Sequence, residues 1–253
     1  MAGSQANGGP VIEIRQLSTL DQFREAVDLQ ETIWGFDKID LLPLRFFVVA
    51  SRVGGQVLGA YHGERMVGFC LGIPGIKPGN RTYIHSHMMG VLDGYRNVGI
   101  GRSLKLRQRE DALSRGIPLI EWTFDPLELK NAFFNIERLG AIVCRYSVNQ
   151  YGITGSPLHG GLPTDRCYAE WWIDSPRVSG ILAGQGRAVE PVERIVFPAD
   201  IARIRAGNGA RAREIQEQNA ERFQDAFARG MAVTGFARNA AEGIYLLEPW
   251  NEN

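Results

Sequence analysis

Along this chain, stretches in which every second residue is apolar alternate with stretches in which apolar residues return every three or four positions. The first kind reads as strand and the second as amphipathic helix. Val11–Arg15 alternates as a first strand, and Leu20–Trp34 follows as a helix carrying Phe23, Val27, Ile33 and Trp34, with Asp21 near its start. Leu41–Val53 is apolar and helix-compatible, with Pro43 tolerated in the first turn. Gln56–Tyr61 and Met66–Ile73 read as two strands joined by a hairpin-type turn, His62-Gly-Glu-Arg65. Arg81–Leu92 is a fourth strand, and Ile100–Arg115 a third helix ended by Gly116. Leu119–Asp125 is a fifth strand, with Ile120, Trp122 and Phe124 on one face and Glu121, Thr123 and Asp125 on the other. Asn131–Leu139 reads as a helix closed by Gly140. Ala141–Asn149 and Cys167–Ile173 are two more strands, separated by a long Gly/Pro-rich loop of the kind that is often functional. Past a boundary at Ser175–Ser179, Arg194–Pro198 reads as an edge strand ending at proline. Asn208–Gly230 is a long helix with Ile215, Phe223, Ala226 and Phe227 on one side, and Met231–Phe236 and Gly243–Leu247 are short strands.

This order predicts an α/β (α+β) fold: a mixed, mostly antiparallel sheet flanked by helices over 11–176, followed by a small α/β extension over 177–253. The extension is too lightly apolar for a core of its own, so it packs on the main body. There it either shapes a ligand pocket or serves stability or homodimerisation. Residues 1–10 have neither a basic patch nor an apolar core, so they read as a frayed tail and not as a signal peptide. No apolar run reaches about eighteen residues, so no membrane span is expected. Twenty-eight basic residues balance 28 acidic ones over 253 residues. No global field therefore draws the chain to nucleic acid or to an anionic membrane. Its three cysteines are scattered, without metal spacing or a disulfide framework, which fits a reducing cytoplasm and predicts no metal.

The chemistry concentrates where the fourth strand hands over to the third helix. Arg96-x-x-Gly99-x-Gly101 lies in that loop, and glycines there let backbone approach a ligand closely. The first N–H groups of the following helix, with its dipole, attract phosphate. A third glycine is absent, since Arg102 stands in its place, and no Gly-Lys-Ser/Thr follows; a dinucleotide fingerprint and a P-loop are disfavoured. Arg96, Arg102, Lys105, Arg107 and Arg109 form either a solvated helix face or a positive funnel for an anionic ligand.

The loop and the strand order around it resemble the acyl-CoA N-acyltransferase fold of the GNAT superfamily, whose pyrophosphate loop has the pattern Arg/Gln-x-x-Gly-x-Gly/Ala. His85-Ser-His-Met-Met89, Leu104-Lys-Leu-Arg-Gln108, Trp122–Leu127, Asn131–Asn135 with Leu139-Gly-Ala141, Asp165-Arg166 and Glu170-Trp171 resemble one branch of predicted acetyltransferases that carries a C-terminal extension. The resemblance implies an enzyme that transfers an acyl group directly from acetyl-CoA or another acyl-CoA to an amine. The expected acceptor is a small-molecule amine or an amino acid, because the sequence shows no peptide-binding signature and no strong acidic patch. A protein or peptide acyltransferase and a catalytically silent acyl-CoA-binding module are the alternatives. It further implies that the backbone from Val98 to Ser103, through Gly99, Ile100, Gly101 and Arg102, cradles the pyrophosphate, with Arg96 and Asn97 shaping the loop. Met89, Gly90 and Val91 would pair with the pantetheine arm, and Gly90 suits a bulge or close approach. Asn131 would touch the cofactor, with helix capping as its other role. Glu121 is the first candidate for removing a proton from the acceptor. His87 is the second, on one strand face with His85. The chain departs from many relatives at Ile136, where a tyrosine would protonate the departing thiolate. Tyr146, Tyr151 or water would have to serve instead, or the thiolate leaves unaided.

Overall fold

The computed structural model describes residues 11–35, 38–153, 160–186 and 188–250; the tail expected over 1–10 lies outside them. The described residues divide into two compact units, the first running to Pro74 with Ser86–Asp111, the second comprising Gly75–His85 and everything from Ala112 onward. The chain passes from one unit to the other within two strands, β3 (Arg65–Lys77) and β4 (Arg81–Val91).

In the first unit, β1 (Ile12–Gln16) pairs antiparallel with β2 (Gln56–His62), and β2 with β3. Helix α1 (Leu20–Trp34) opens on a capping box: Thr19 accepts from the Gln22 amide, and the Gln22 side chain returns to the Thr19 amide. It ends at Gly35, whose φ of 59° is the left-handed cap. Helix α2 (Leu44–Arg52) starts three residues later than the apolar run predicts, because Pro43 occupies its N-cap with extended backbone and disfavours a helical residue before it. The freed backbone of Leu42 is held instead by the buried side chain of Gln30, which donates to its carbonyl at 3.1 Å and accepts from its amide at 2.9 Å. Phe23, Phe47, Leu58, Phe69, Leu71 and Leu104, the last on α3 (Ile100–Ser114), belong to the core of this unit.

In the second unit, Ile84 and His85 of β4 pair in parallel with Ile120 and Glu121 of β5 (Leu119–Phe124). The sheet continues through β7 (Arg166–Trp172), β6 (Ile142–Ser147), β9 (Met231–Arg238) and β10 (Glu242–Pro249) to β8 (Glu193–Pro198), which is an edge strand ending at Pro198. The helix read over 131–139 is two pieces, α4 (Leu129–Phe133) and a π-helical turn, Phe134–Arg138. Two short helices, α5 (Pro176–Leu182) and α6 (Ile201–Gly207), add to the elements expected from periodicity: at seven residues each, neither shows a readable period. Asn208 caps α7 (Gly209–Ala228) by accepting from the Arg211 amide at 3.0 Å. The sequence boundary at 176/177 falls inside this unit, and Phe197, Phe223 and Tyr245 share one core with Ile120, Trp122 and Trp171.

The sheet does not follow the simple face alternation predicted for β5. Glu121, assigned to the polar face, is buried with 3% of its surface exposed, because it is met there by charged side chains from other strands.

Candidate functional site

Strand β4 ends at Val91, a single 3-10 turn spans Asp93–Tyr95, and the chain then enters α3 through Arg96–Gly99. Asn97 and Gly99 both take left-handed backbone, with φ of 65° and 93°. Asparagine tolerates that region and glycine enters it without strain, which explains the residue types in the loop. The Ser103 amide donates to the Gly99 carbonyl at 3.0 Å, making this the first turn of α3. Ile100 is buried and anchors the turn, whereas Asn97, Val98, Gly99 and Ser103 are exposed, and Gly101 and Arg102 half-buried. Arg96 braces the loop: its Nε donates to the Val91 carbonyl at 3.1 Å and its Nη1 lies 2.7 Å from the Asp93 carboxylate. A fifteen-residue helix thus presents its N-terminal end beside exposed, left-handed backbone, an arrangement suited to an anion.

The preceding stretch of β4 belongs to the same unit. Met89 and Val91 are half-buried and Gly90 is buried. A Cβ on Gly90 would lie 2.6 Å from the Trp34 ring and 2.9 Å from Ile33, so the close approach expected there is made by α1. His87 is half-buried, its ring 6.0 Å from that of Phe46, and burial pulls its pKa below the ordinary histidine value. It is therefore neutral near pH 7. Lys105, read from the sequence as one of the exposed bases, requires a correction: it is buried, and its Nζ donates to Ser86 Oγ at 2.7 Å. Ser86 Oγ donates onward to Gln108 Oε1 at 3.0 Å. Burial pulls the Lys105 pKa down to about 8. Lys105 is thus neither a solvated face nor a surface funnel.

Glu121 and Asn131 lie in the second unit. Glu121 stands directly opposite Glu170 of β7 in the antiparallel register. Lys77 Nζ lies 2.7 Å from a Glu121 oxygen and 3.6 Å from a Glu170 oxygen. Arg145 donates from Nη2 to Glu121, and its Nε lies 3.3 Å from Glu170. The four charges border a cavity of about 500 Å³ whose other walls include Tyr83, Phe227, Met231 and Trp250. Sequence reasoning misses Lys77 and Arg145, which stand in no motif, and meets Glu170 only within the Glu170-Trp171 pair. Asn131 is exposed on α4, whose N-cap is Glu128, so capping is not its role. Ile136 is fully buried in the π turn and belongs to the core.

Tyr146 and Tyr151 are already partnered. Tyr146 donates to Asp165 at 2.7 Å, and burial drives its pKa strongly upward. Tyr151 hydroxyl and Thr123 Oγ1 share a hydrogen bond of 3.2 Å. Asp125 forms a turn, accepting from the Leu127 amide at 2.8 Å, and pairs with Arg205 at 3.1 Å; burial raises its pKa. Arg166 lies over the Tyr151 ring. Cys70 and Cys167 are buried and Cys144 half-buried. Among the described residues, no helix is long and apolar enough to cross a membrane, and no group of three or more His, Cys, Asp or Glu is placed to hold a metal ion.

No family model and no curated protein matches the chain. Solved structures do. The Salmonella typhimurium protein yncA, solved with acetyl-CoA, matches at 15% identity over 65% of this chain and 95% of its own, with a TM-score of 0.53. The Escherichia coli ribosomal-protein-S18-alanine N-acetyltransferase matches at 15% identity over 65% of this chain and 96% of its own, with a TM-score of 0.51. A GNAT-family acetyltransferase from Streptococcus pneumoniae matches at 14% identity over 63% of this chain and 98% of its own, with a TM-score of 0.50. About two-thirds of the chain therefore has the fold of the GNAT acetyltransferases, nearly complete.

Proposed function

We propose that the protein is an acyl-CoA-dependent N-acyltransferase, with acetyl-CoA as donor and a small amine or amino acid as acceptor. The observation that carries this reading is the loop from Arg96 to Ser103: left-handed backbone at Asn97 and Gly99, exposed at the start of α3, on a chain with this fold. The donor's pyrophosphate is assigned to Val98–Ser103, with Arg96 and Asn97 shaping the loop and Ile100 anchoring it. Met89, Gly90 and Val91 are assigned to the pantetheine arm, and Asn131 to a further contact with the donor.

An alkylamine with a pKa near about 10 arrives as the ammonium and must lose a proton before nitrogen attacks the thioester carbonyl. The new C–N bond forms, the C–S bond breaks, and the electron pair leaves on sulfur. Glu121 and His87 are the assigned proton acceptors, acting directly or through water. Glu121 borders the cavity of the second unit, and burial holds the His87 pKa below the ordinary histidine value. With Ile136 buried in the core, no proton donor stands at the position many relatives use. A thiol of pKa about 8.5 leaves acceptably without one. We place the protein in a reducing cytoplasm on the strength of its scattered cysteines, which form no disulfide framework.

Calorimetry with CoA tests the donor assignment. Binding at millimolar affinity or better is expected, and Gly99→Val should weaken it by about tenfold or more, because a β-branched residue is strained at positive φ. Unchanged affinity would remove the loop from the site. Thiol release against a panel of amines, amino acids and peptides then tests transfer. CoA binding with no turnover would favour the silent module to which buried Ile136 points.

A further inference from the structure

The cavity in the second unit is bordered by two like charges that a sheet holds opposite each other only when they are compensated. Glu121 and Glu170 are cross-strand partners, and like charges directly opposite are destabilising. Both carboxylates are almost fully buried, at 4% and 3% side-chain exposure, which adds a desolvation penalty for each. Two cations neutralise them, and these two are not alike. Arg145, although nearly half its side chain is exposed, meets both carboxylates through one planar guanidinium that also lies 4.3 Å from the Tyr168 ring centroid. Lys77 is the last residue of β3, next to the Pro78–Asn80 turn, and reaches the carboxylates on a flexible stem with Nζ 5.5 Å from the Tyr83 ring centroid. Its ammonium bridges the two glutamates at the edge of the open cavity.

We propose that the space between Glu121 and Glu170 is a binding site for a primary ammonium group and that Lys77 is its resident, exchangeable occupant. A ligand of the form R–NH₃⁺ offers the same charge and the same three donors as the lysine, so it replaces Lys77 without unpairing either carboxylate. Arg145 stays in place and keeps the site from carrying two uncompensated charges during the exchange. The ligand's body lies in the cavity of about 500 Å³ against Phe227, Met231 and Trp250, which favours an apolar or aromatic R group. Resting on the acyltransferase reading, this names the acceptor class as a primary alkyl- or arylalkylamine. A lone carboxylate would bind one ammonium loosely; a pair opposed across two strands selects for a group with several N–H donors and excludes a quaternary ammonium.

The test is donor-free, so that its failure leaves the CoA assignment standing and failure of CoA binding leaves this site standing. Lys77→Ala empties the seat and should lower the Tm. n-Butylammonium chloride at about ten times its Kd should raise the Tm of that variant by about 3 °C, and that of the Lys77→Ala/Glu170→Ala double variant not at all. Tetramethylammonium chloride at equal ionic strength should leave wild type and both variants unchanged. If Lys77→Ala does not fold, Lys77→Met, which keeps the length of the stem, is titrated by calorimetry against n-butylammonium, and at least tenfold tighter binding than in the wild type is expected. The proposal is overturned if n-butylammonium gives no stabilisation or no tighter binding, or if tetramethylammonium does as well.

Discussion

Lys105 holds a positive charge where water does not reach it. Its folded-state pKa of about 8 lies below the usual lysine value of 10.5, so between those values the unfolded chain binds the extra proton and the folded chain does not. Stability from this group therefore rises as pH climbs through that window, and the penalty is fully present below pH 8. The difference in unfolding free energy between wild type and Lys105→Met should move in favour of wild type by about 2 kcal/mol from pH 8 to pH 10. Urea unfolding at the two pH values checks it, and a pH-independent difference would contradict the burial argument. Periodicity could not separate Lys105 from Arg107, because both lie on α3 in a run of bases. Only the packed structure shows Lys105 turned onto Ser86 and Arg107 exposed beside Glu110 at 3.4 Å.

At the scale of elements, the handover from β4 to α3 is legible in the sequence because each of its parts has a local cause. Gly99 and Asn97 report left-handed backbone, and Ile100 reports the helix's buried side. Gly90 is legible as a close approach, though not by what. The Trp34 ring stands 2.6 Å from the point a Cβ would occupy, so Gly90→Ala should force α1 off β4 at a cost of about 1–3 kcal/mol. A drop in denaturation midpoint with unchanged m-value is the expected result, and a neutral substitution would show that α1 yields freely. The α4 region is only half legible. Its apolar spacing announces a helix, but the switch to a π turn at Phe134–Arg138, where Asn135 and Ile136 are buried, leaves no mark in that spacing. Helices α5 and α6 are one to two turns long and leave no period to read.

For the molecule as a whole, the residues beyond 176 are part of the same core as β5–β7. Strand β9 pairs with β6 at Val143↔Val233, and Tyr146 stacks on Phe223 at 5.3 Å. The Tyr245 hydroxyl donates to the Pro126 carbonyl at 2.7 Å. Arg177 donates to the carbonyls of Gly140 and Thr234 at 3.0 and 2.6 Å. A chain truncated after residue 176 would expose β6 as an edge and open the aromatic cluster, so it should be recovered insoluble or without a cooperative melt. A soluble truncation with native circular dichroism would make the extension a separable addition. What the chain's own order of residues determined is the succession of the strands and the longer helices, the left-handed loop before α3 and the glycines that shape it, because each depends on neighbours a few positions away. What the tertiary structure alone decided is the burial of Lys105 and the quartet of Lys77, Glu121, Arg145 and Glu170. Those partners come from separate strands of the sheet, and the charge of one is tolerated only where the fold delivers the others.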